Sequence, residues 1–423
     1  MKHCIAVATG YALLATVALA QTTPGPLRLA GAPTIARQLA PDLLSAFVAT
    51  HPGAASPSIA PETTAEGLAA LAAGRATLAM ATRPVTEDER ITLLRAGHGD
   101  PASSDNARIV ALESLAVVVN RDNAISILTL DQIRRLFAGQ IANWSSLGGR
   151  DLPVTLYVPD PKSSAADAFA ALALNGSKLS ASAVTSDTGK SVAAAVAADP
   201  GGIGFVGLAD IGAAKPVTPA LPCGITIEPK PFNVRTEEYP LARRLYLYAA
   251  APQPPVLKDF LAFAASPAAQ PLIRQSGLDD LAPELGKPGD GLPRPAIWDP
   301  AETRRRTQIF AHITDSLAAA TRLSPTFRFT ADGTALDPRA QADIARVAAF
   351  KRANPTRKLI LVGYWSGLPS FDANIVASAK HAQSVAAALS AAGARPDQIL
   401  AGSTLRPIAC ADEPNRRVEV WVR

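Results

Sequence analysis

Apolar runs and amphipathic segments alternate along most of this chain. Residues 76–81 and 114–120 are apolar runs with the length and composition of buried strands. Thr129 and Gln132 form the T-x-x-Q pattern of a helix N-terminus, and the apolar residues that follow recur at helical spacing. The same reading predicts strands at residues 27–29, 154–158, 202–206 and 244–248. Strands that alternate with helices in this way predict an α/β protein with parallel or mixed sheets.

A stretch rich in proline and glycine divides the chain unequally. Residues 286–295 read GKPGDGLPRP, a composition that favours a linker over regular structure. We therefore predict a large domain at residues 21–285, a linker at 286–310 and a smaller domain at 311–423. A chain of this length is expected to form two or three domains.

The smaller segment has its own alternation of helices and strands. Asp337 and Pro338 suit the N-cap and first position of a helix, and Gly393 suits the end of the next helix. Alternation in residues 417–422 places three valines on one face of a strand. The other predicted elements are helices at 299–320 and 374–392 and strands at 326–329 and 359–362. The pattern predicts a smaller α/β sandwich of the β-α-β-α-β type.

The N-terminus predicts export. Lys2 and His3 precede an apolar run that ends in Ala18-Leu19-Ala20, the pattern of a secretory signal peptide cleaved after Ala20. A membrane anchor is the alternative, although the run is short for a span. No later segment approaches the roughly 20 apolar residues of a spanning helix. We therefore predict a periplasmic protein without a transmembrane span in its mature chain.

Charge and cysteine content narrow the classes of partner. The formal net charge is +5, and the basic residues are scattered without the aromatic residues that nucleic-acid-binding surfaces carry. We therefore predict no nucleic-acid partner. Cys223 and Cys410 are the cysteines that remain after signal removal. In an exported protein they form a disulfide between the two predicted domains or remain free thiols, and the sequence leaves both open.

The sequence does not predict an enzyme. Neither the histidines nor the cysteines have metal-ligand spacing, and no nucleophile-elbow, P-loop or dinucleotide-binding motif occurs in the required context. We therefore predict no cofactor, no metal and no catalytic residues.

Several blocks of the large segment resemble the phosphate-binding proteins of ABC importers. They are LAGAPT at residues 29–34, AMATRP at 79–84, LFAGQIANWSSLGG at 136–149, DPGGIGFV at 199–206 and YPLARRLYLY at 239–248. The resemblance implies a two-lobed periplasmic-binding-protein fold, with a ligand cleft between lobes that crossover strands connect. Phosphate or another small oxyanion would be the ligand.

The resemblance also implies a set of ligand contacts. Thr34 and Ile35 match the family's first contact at a helix start, and Thr64 stands where the family has a serine. Such groups hold an oxyanion through hydroxyls and backbone N–H donors at helix N-termini. Ser163 matches the serine of the family's third motif, and Lys162 replaces a glycine and supplies a cation.

Two family contacts are replaced in this chain. Pro159 stands where the family has an arginine, and Ala165 where it has a threonine. Lysine is a point charge and does not reproduce the bidentate fork of arginine. Because hydrogen bonds to charged groups contribute about 1.5–3 kcal/mol each, we expect phosphate binding much weaker than micromolar.

The C-terminal segment resembles the C-terminal domain of the OmpA family, which docks on peptidoglycan. The matching blocks are KLILVGYWSG at residues 358–367, NIVASAKHAQSVAAAL at 374–389, AGSTLRP at 401–407 and EPNRRVEVWV at 413–422. The resemblance implies attachment to the cell wall or to partners at the outer membrane. The expected peptidoglycan-binding positions are Ser366, Asn374, His381 and Arg416.

The family's charged clamp is changed here. Ser366 stands where the family has an aspartate, and His381 stands where it has an arginine. In the family, this aspartate and this arginine bind the stem peptide of peptidoglycan. We therefore predict a solute-binding protein tethered to the envelope, with weak peptidoglycan binding. The alternative is an envelope scaffold in which both sites are inactive and protein contacts carry the function. An open cleft favours the first interpretation, and a cleft filled by apolar side chains favours the second.

Overall fold

The computed structural model describes residues 26–52, 56–288, 290, 300–330, 332–405 and 415–423, without the side chains of residues 300–303. The predicted signal peptide and Cys410 lie outside these residues. Within the described ranges, no helix combines the length and the hydropathy that crossing a membrane requires.

The large domain is built on a mixed sheet that runs through both lobes. Its strands are β1 (Arg28–Gly31), β2 (Ser58–Pro61), β3 (Leu78–Ala81), β4 (Ala107–Val119), β5 (Ile127–Thr129), β6 (Thr155–Pro159), β7 (Val184–Ser186), β8 (Gly202–Gly207), β9 (Lys215–Pro216), β10 (Thr218–Ala220) and β11 (Ala242–Ala249). Among the described residues, nine of them form one sheet in the order β2-β1-β3-β11-β4-β8-β6-β7, with β9 on β4, and β5 pairs with β10.

Helices cover both faces of this sheet. They are α1 (Ala40–Thr50), α2 (Thr64–Ala72), α3 (Glu87–Arg95), α4 (Leu130–Phe137), α5 (Ser164–Phe169), α6 (Gly189–Ala198), α7 (Pro231–Arg235), α8 (Pro255–Ala265) and α9 (Gln270–Gln275). Short π-helical segments at Thr34–Leu39 and Ala170–Leu174 and short 3₁₀ segments at Trp144–Leu147 and Leu208–Asp210 complete them. The predicted capping box at Thr129 and Gln132 is confirmed.

Strand β4 connects the two lobes. Its first half, from Ala107, pairs antiparallel with β11 in the lobe that contains β1 to β3. Its second half, from Leu115, pairs antiparallel with β8 in the lobe that contains β6 and β7. Because β4 crosses from one lobe to the other beside the start of β11, these two strands form the hinge region of the large domain.

The smaller domain is a four-stranded sheet between helices. Its elements are α10 (Pro300–Leu317), β12 (Thr321–Arg328), α11 (Pro338–Ala353), β13 (Leu359–Tyr364), α12 (Phe371–Ala391), β14 (Gln398–Ser403) and β15 (Arg417–Val422). The strand order is β12-β15-β13-β14. Residues of α11 and α12 pack on one face with the three valines of β15, and residues of α10 pack on the other face against Trp421. The predicted valine face of β15 is therefore confirmed.

The chain segment that leaves the large domain pairs with the edge of the smaller sheet. The backbone N–H of Gly286 donates to the carbonyl of Arg322 at 2.8 Å, and the N–H of Ser324 donates to the carbonyl of Glu284 at 2.8 Å. Helix α10 begins at Pro300, inside the segment that the sequence predicts as a linker. The two domains are therefore in direct contact beside this connection.

Candidate functional site

The first predicted contact lies where β1 ends. Gly31 has a φ of 130°, a region that favours glycine, and an added Cβ would lie 2.2 Å from the carbonyl oxygen of Met80. The chain then turns into the helical segment that starts at Thr34. Thr34 is 2% exposed and Ile35 is 1% exposed, so both are packed into the base of the lobe.

Thr64 lies in the first turn of α2, beside the end of β3. Its Oγ1 accepts a hydrogen bond from the N–H of Thr82 at 3.2 Å. β1 and β3 are parallel neighbours, so their carboxyl ends meet at one edge of the sheet. Ligands of open α/β sheets bind in the crevice outside such strand ends, and the structure places Thr34 and Thr64 at this edge.

The predicted contacts from the other lobe lie at the start of α5. Ser163 is the N-cap, and its Oγ accepts from the N–H of Ala166 at 3.2 Å. Lys162 is exposed, and its backbone N–H donates to Asp160 at 2.8 Å. Pro159 is the last residue of β6 and is buried, so this position provides no cation.

Polar side chains bridge the two lobes across the cleft. Gln38, in the helical segment after β1, donates through Nε2 to the Oγ of Ser164 in α5 at 3.0 Å. Gln38 is exposed and Ser164 is partly buried, so the bridge lies at the cleft surface. This contact across the cleft is polar.

An arginine that the sequence analysis missed lies in the hinge region beside α5. Arg243, on β11, donates through Nε to Glu113 of β4 at 2.7 Å and through Nη1 to Asp167 of α5 at 2.9 Å. The side chains of Arg243 and Glu113 are only 8% and 7% exposed. The Nη2 group of Arg243 is buried and has no hydrogen-bond partner among the described residues.

The charge of this cluster determines what the cleft can hold. Two carboxylates, Glu113 and Asp167, face one guanidinium, so the cluster carries a net negative charge when both are ionised. Burial raises the pKa of Glu113, although Arg243 opposes the shift. Both carboxylates therefore oppose an anion at Arg243 as long as they are ionised.

A partly buried carboxyl next to the hinge makes the stability depend on pH. Asp279 pairs through its backbone with Leu112 of β4 and accepts from Ser114, and burial raises its pKa to about 6. An unfolded aspartate has a pKa of about 3.9, so the folded state holds this proton more tightly. This contribution therefore favours the folded state below about pH 4 and decreases as the pH rises to about 6.

We expect Asp279→Asn to remove about 2–3 kcal/mol of this pH dependence. Urea denaturation between about pH 4 and 7 measures the free energy of unfolding of both proteins. The value for Asp279→Asn should rise relative to the wild-type value as the pH rises. The exposed Asp259→Asn is the matched control. Parallel pH profiles for wild type and Asp279→Asn would contradict the assignment.

A cavity of about 700 Å³ lies between the two domains, next to the hinge. Its aromatic lining comes from Tyr239, Tyr246, Tyr248, Phe329 and Trp365. Its charged lining comes from Arg90, Arg243, Arg244, Arg328, Arg416, Glu237 and Asp337. Both domains therefore contribute to one polar and aromatic space.

Glu237 is the centre of an ion cluster at this interface. Its carboxylate pairs with Arg244 at 2.5 and 2.6 Å, with Arg328 at 3.1 Å and with Arg339 at 2.7 Å. Burial alone would raise the pKa of Glu237, but Arg244, Arg339 and Arg328 outweigh it and hold the pKa well below its ordinary value. Arg244 also pairs with Asp337 at 2.8 Å. The cluster thus joins β11 of the large domain to the smaller domain.

The predicted peptidoglycan positions surround Trp365, with one exception. The ring of His381 stacks on Trp365 at 3.7 Å, and its Nδ1 and Nε2 lie 2.7 and 3.0 Å from the carbonyl oxygens of Ala377 and Gly333. The guanidinium of Arg416 also lies over the indole, 5.4 Å from a ring centroid, and its Nε donates to the carbonyl of Ser366 at 3.1 Å. Ser366 is 5% exposed.

Asn374 is the exception, because its side chain holds a loop. It accepts from the N–H of Leu368 at 3.2 Å and donates to the carbonyls of Leu368 and Ser370 at 3.1 and 2.9 Å. These hydrogen bonds to the loop explain why an asparagine stands near the start of this helix, and no ligand is needed to explain it.

The sequence left a disulfide and free thiols open for Cys223 and Cys410. Cys223 is disulfide-bonded. Cys410 lies outside the described residues, so the pairing of these two cysteines stays a prediction. Among the described residues, no group of three or more metal-ligating side chains is suited to hold a metal ion.

Comparison with known proteins identifies the family of the large domain. The model of the PBP superfamily domain matches residues 16–268, which is more than half of the chain. The chain therefore belongs to this family, whose members are substrate-binding proteins and not enzymes. The match covers the two lobes and the hinge strands, and it ends before the smaller domain.

Two curated relatives are similar to part of the chain. The phosphate-binding protein PstS of Bacillus subtilis (strain 168) is 31% identical over 157 residues, which are 37% of this chain and 51% of that protein. Protein SphX of Synechococcus elongatus is 28% identical over 152 residues, which are 33% of this chain and 45% of that protein. The chain thus spans about half the length of the curated relatives it matches.

Solved structures show the same fold. A structure described as a possible phosphate binding protein from Planctomyces limnophilus DSM 3776 superposes with a TM-score of 0.54 at 20% identity, covering 68% of this chain and 98% of that chain. PstS from Borrelia burgdorferi superposes with a TM-score of 0.50 at 16% identity, covering 60% and 98%. The two-lobed fold that the sequence predicts for the large domain is therefore confirmed.

Proposed function

We propose that the large domain binds a small oxyanion of the phosphate class in the cleft between its lobes, as a periplasmic binding protein of the kind that serves ABC importers. The observation that carries the proposal is the buried guanidinium of Arg243, whose Nη2 group lacks a partner among the described residues. It pairs with Asp167 in the first turn of α5, the helix that Ser163 caps. Arg243 thus supplies the cation that Pro159 does not.

The similarity to PstS of Bacillus subtilis supports phosphate as the chemical class of ligand. The carboxylates of Glu113 and Asp167 nevertheless oppose a doubly charged anion, because both lie on the same guanidinium. We therefore infer an affinity for phosphate well weaker than micromolar at neutral pH. A singly charged oxyanion suits the cluster better, because it brings less negative charge to these carboxylates.

We expect Asp167→Asn to tighten phosphate binding by about tenfold or more, because it removes a carboxylate that competes for Arg243. Arg243→Gln should abolish measurable binding. Calorimetric titration of the full chain with phosphate at pH 7 measures both. Asp151→Asn is the matched control, since Asp151 precedes β6 at the opposite end of that strand from Pro159. Submicromolar phosphate affinity in the wild type, or unchanged binding in Arg243→Gln, would overturn this assignment.

We also propose that the smaller domain attaches the protein to the cell wall or to envelope partners at the outer membrane. The proposal rests on the resemblance of its blocks to the OmpA family and on Arg416, which has no carboxylate partner among the described residues. Attachment through peptidoglycan should be weak, because Ser366 and His381 replace the charged clamp and His381 already faces two carbonyl oxygens.

We expect the full chain to be retained only weakly on purified peptidoglycan, and Arg416→Gln to lower this retention further. A sedimentation assay at neutral pH measures the bound fraction, with Arg352→Gln as a charge-matched control on the exposed face of α11. Retention that is strong and independent of Arg416 would show that other residues bind the wall. No retention at all favours the alternative of an envelope scaffold that acts through protein contacts.

A further inference from the structure

The cavity between the domains has the size and lining of a small-molecule site. Its volume of about 700 Å³ lies within the roughly 300–1,000 Å³ that ligand pockets occupy. On the large-domain side, the rings of Tyr246 and Tyr248 stack with centroids 5.4 Å apart. On the other side, Phe329 and Trp365 form an edge contact at 5.7 Å. Two aromatic walls from different domains therefore border one space.

One of the five arginines that line this cavity differs from the others in its partners. Four of the lining arginines pair with carboxylates: Arg90, Arg243, Arg244 and Arg328. Arg416 has no carboxylate partner among the described residues, and it is only partly buried. Its Nε donates to a backbone carbonyl, and its guanidinium lies over Trp365. Arg416 is thus the lining arginine whose guanidinium is not already paired with a carboxylate among the described residues.

We propose that this interdomain cavity binds a small organic carboxylate with a planar, apolar body. The carboxylate pairs with the guanidinium of Arg416, whose fork matches its geometry. The planar body packs between Trp365 and the tyrosine pair of β11, because aromatic faces favour stacked or edge contacts with flat groups. Arg243 lines this cavity as well as the oxyanion cleft, but Ser163 and Ser164 of the cleft are not among the cavity's lining residues.

The cavity also differs from the predicted peptidoglycan clamp. Of the four positions that the resemblance implies, Arg416 lines the cavity, whereas Ser366, Asn374 and His381 are not among its lining residues. The opposite wall comes from the large domain, which an isolated smaller domain would lack. The composite site is therefore specific to a chain that contains both domains.

The test uses the full chain and naphthalene-2-carboxylate as the probe, with naphthalene-2-methanol as the uncharged analogue. We expect saturable binding with one site per chain, at least about tenfold tighter for the carboxylate than for the alcohol. Binding should shift the indole N–H resonance of Trp365, assigned from Trp365→Phe, and leave that of the buried Trp144 unchanged. Calorimetry and protein NMR measure these effects.

Arg416→Gln is expected to weaken the carboxylate about tenfold or more, to the level of the alcohol, while the exposed Arg352→Gln leaves it unchanged. If Arg416→Gln does not fold, Arg416→Lys keeps the charge without the fork and should give a partial loss, and Trp365→Leu should also weaken binding. No binding of the carboxylate by the wild type, equal binding of the alcohol, or wild-type affinity in the Arg416 variant would overturn the proposal.

Discussion

Glu237→Gln is expected to lower the free energy of unfolding by about 3–5 kcal/mol, because it breaks a buried ion cluster by removing one partner. The carboxylate of Glu237 contacts Arg244, Arg328 and Arg339, whose side chains are 20%, 13% and 3% exposed. A neutral amide leaves these three largely buried guanidinium groups with too little negative charge. Urea denaturation at pH 7 measures the loss.

The exposed Asp259→Asn is the control and should change stability by less than about 0.5 kcal/mol. The pKa of Glu237 is held well below its ordinary value. Its contribution is therefore present above the pKa of an unfolded glutamate, about 4.3, and is lost as the pH falls through the lower folded pKa. The difference between wild type and Glu237→Gln should shrink in acid. A loss below about 1 kcal/mol at pH 7 would contradict the role of the cluster.

The position of this cluster links the smaller domain to the movement of the lobes. Glu237 and Arg244 flank the start of β11, which pairs with the crossover strand β4. Arg328 and Arg339 belong to the smaller domain, so its side chains hold the strand next to Arg243. A change in the angle between the lobes that moves the start of β11 must either move the smaller domain with it or break these ion pairs. The smaller domain is thus in contact with the hinge of the large domain.

Local sequence patterns predicted the elements whose signals lie within a few residues. The helix cap at Asp337, the helix end at Gly393 and the strand Arg417–Val422 are confirmed. Strand β12 was predicted from residue 326, but it starts at Thr321. Pro325 lies where the register of this edge strand shifts, and a proline in a strand is typical of an edge or a bulge.

The charged centre of the cleft could not be predicted from local pattern. Glu113 and Arg243 are 130 residues apart and face each other only because β4 and β11 pair in one antiparallel register. The block YPLARRLYLY did contain a signal, since two adjacent arginines in a strand point to opposite faces. Arg243 contacts the cleft residue Asp167, and Arg244 contacts the interdomain residue Glu237. The carboxylate that pairs with each of these two arginines depends on tertiary contacts, which local sequence patterns do not predict.

Gly31→Ala is expected to lower the free energy of unfolding by about 3 kcal/mol or more and to abolish anion binding in the cleft. An alanine at φ 130° is strained by about 1–3 kcal/mol, and its Cβ would lie 2.2 Å from the carbonyl oxygen of Met80, an overlap that costs about another 1–3 kcal/mol. Relief of the overlap must separate β1 from β3, which displaces Thr34. Gly74→Ala is the matched control, because Gly74 also has a positive φ of 68° but an added Cβ meets nothing within 4 Å. Chemical denaturation and phosphate titration of both variants separate the effects. Equal losses for the two would mean that backbone conformation alone requires glycine at residue 31, and that the close approach of β1 and β3 does not shape the cleft.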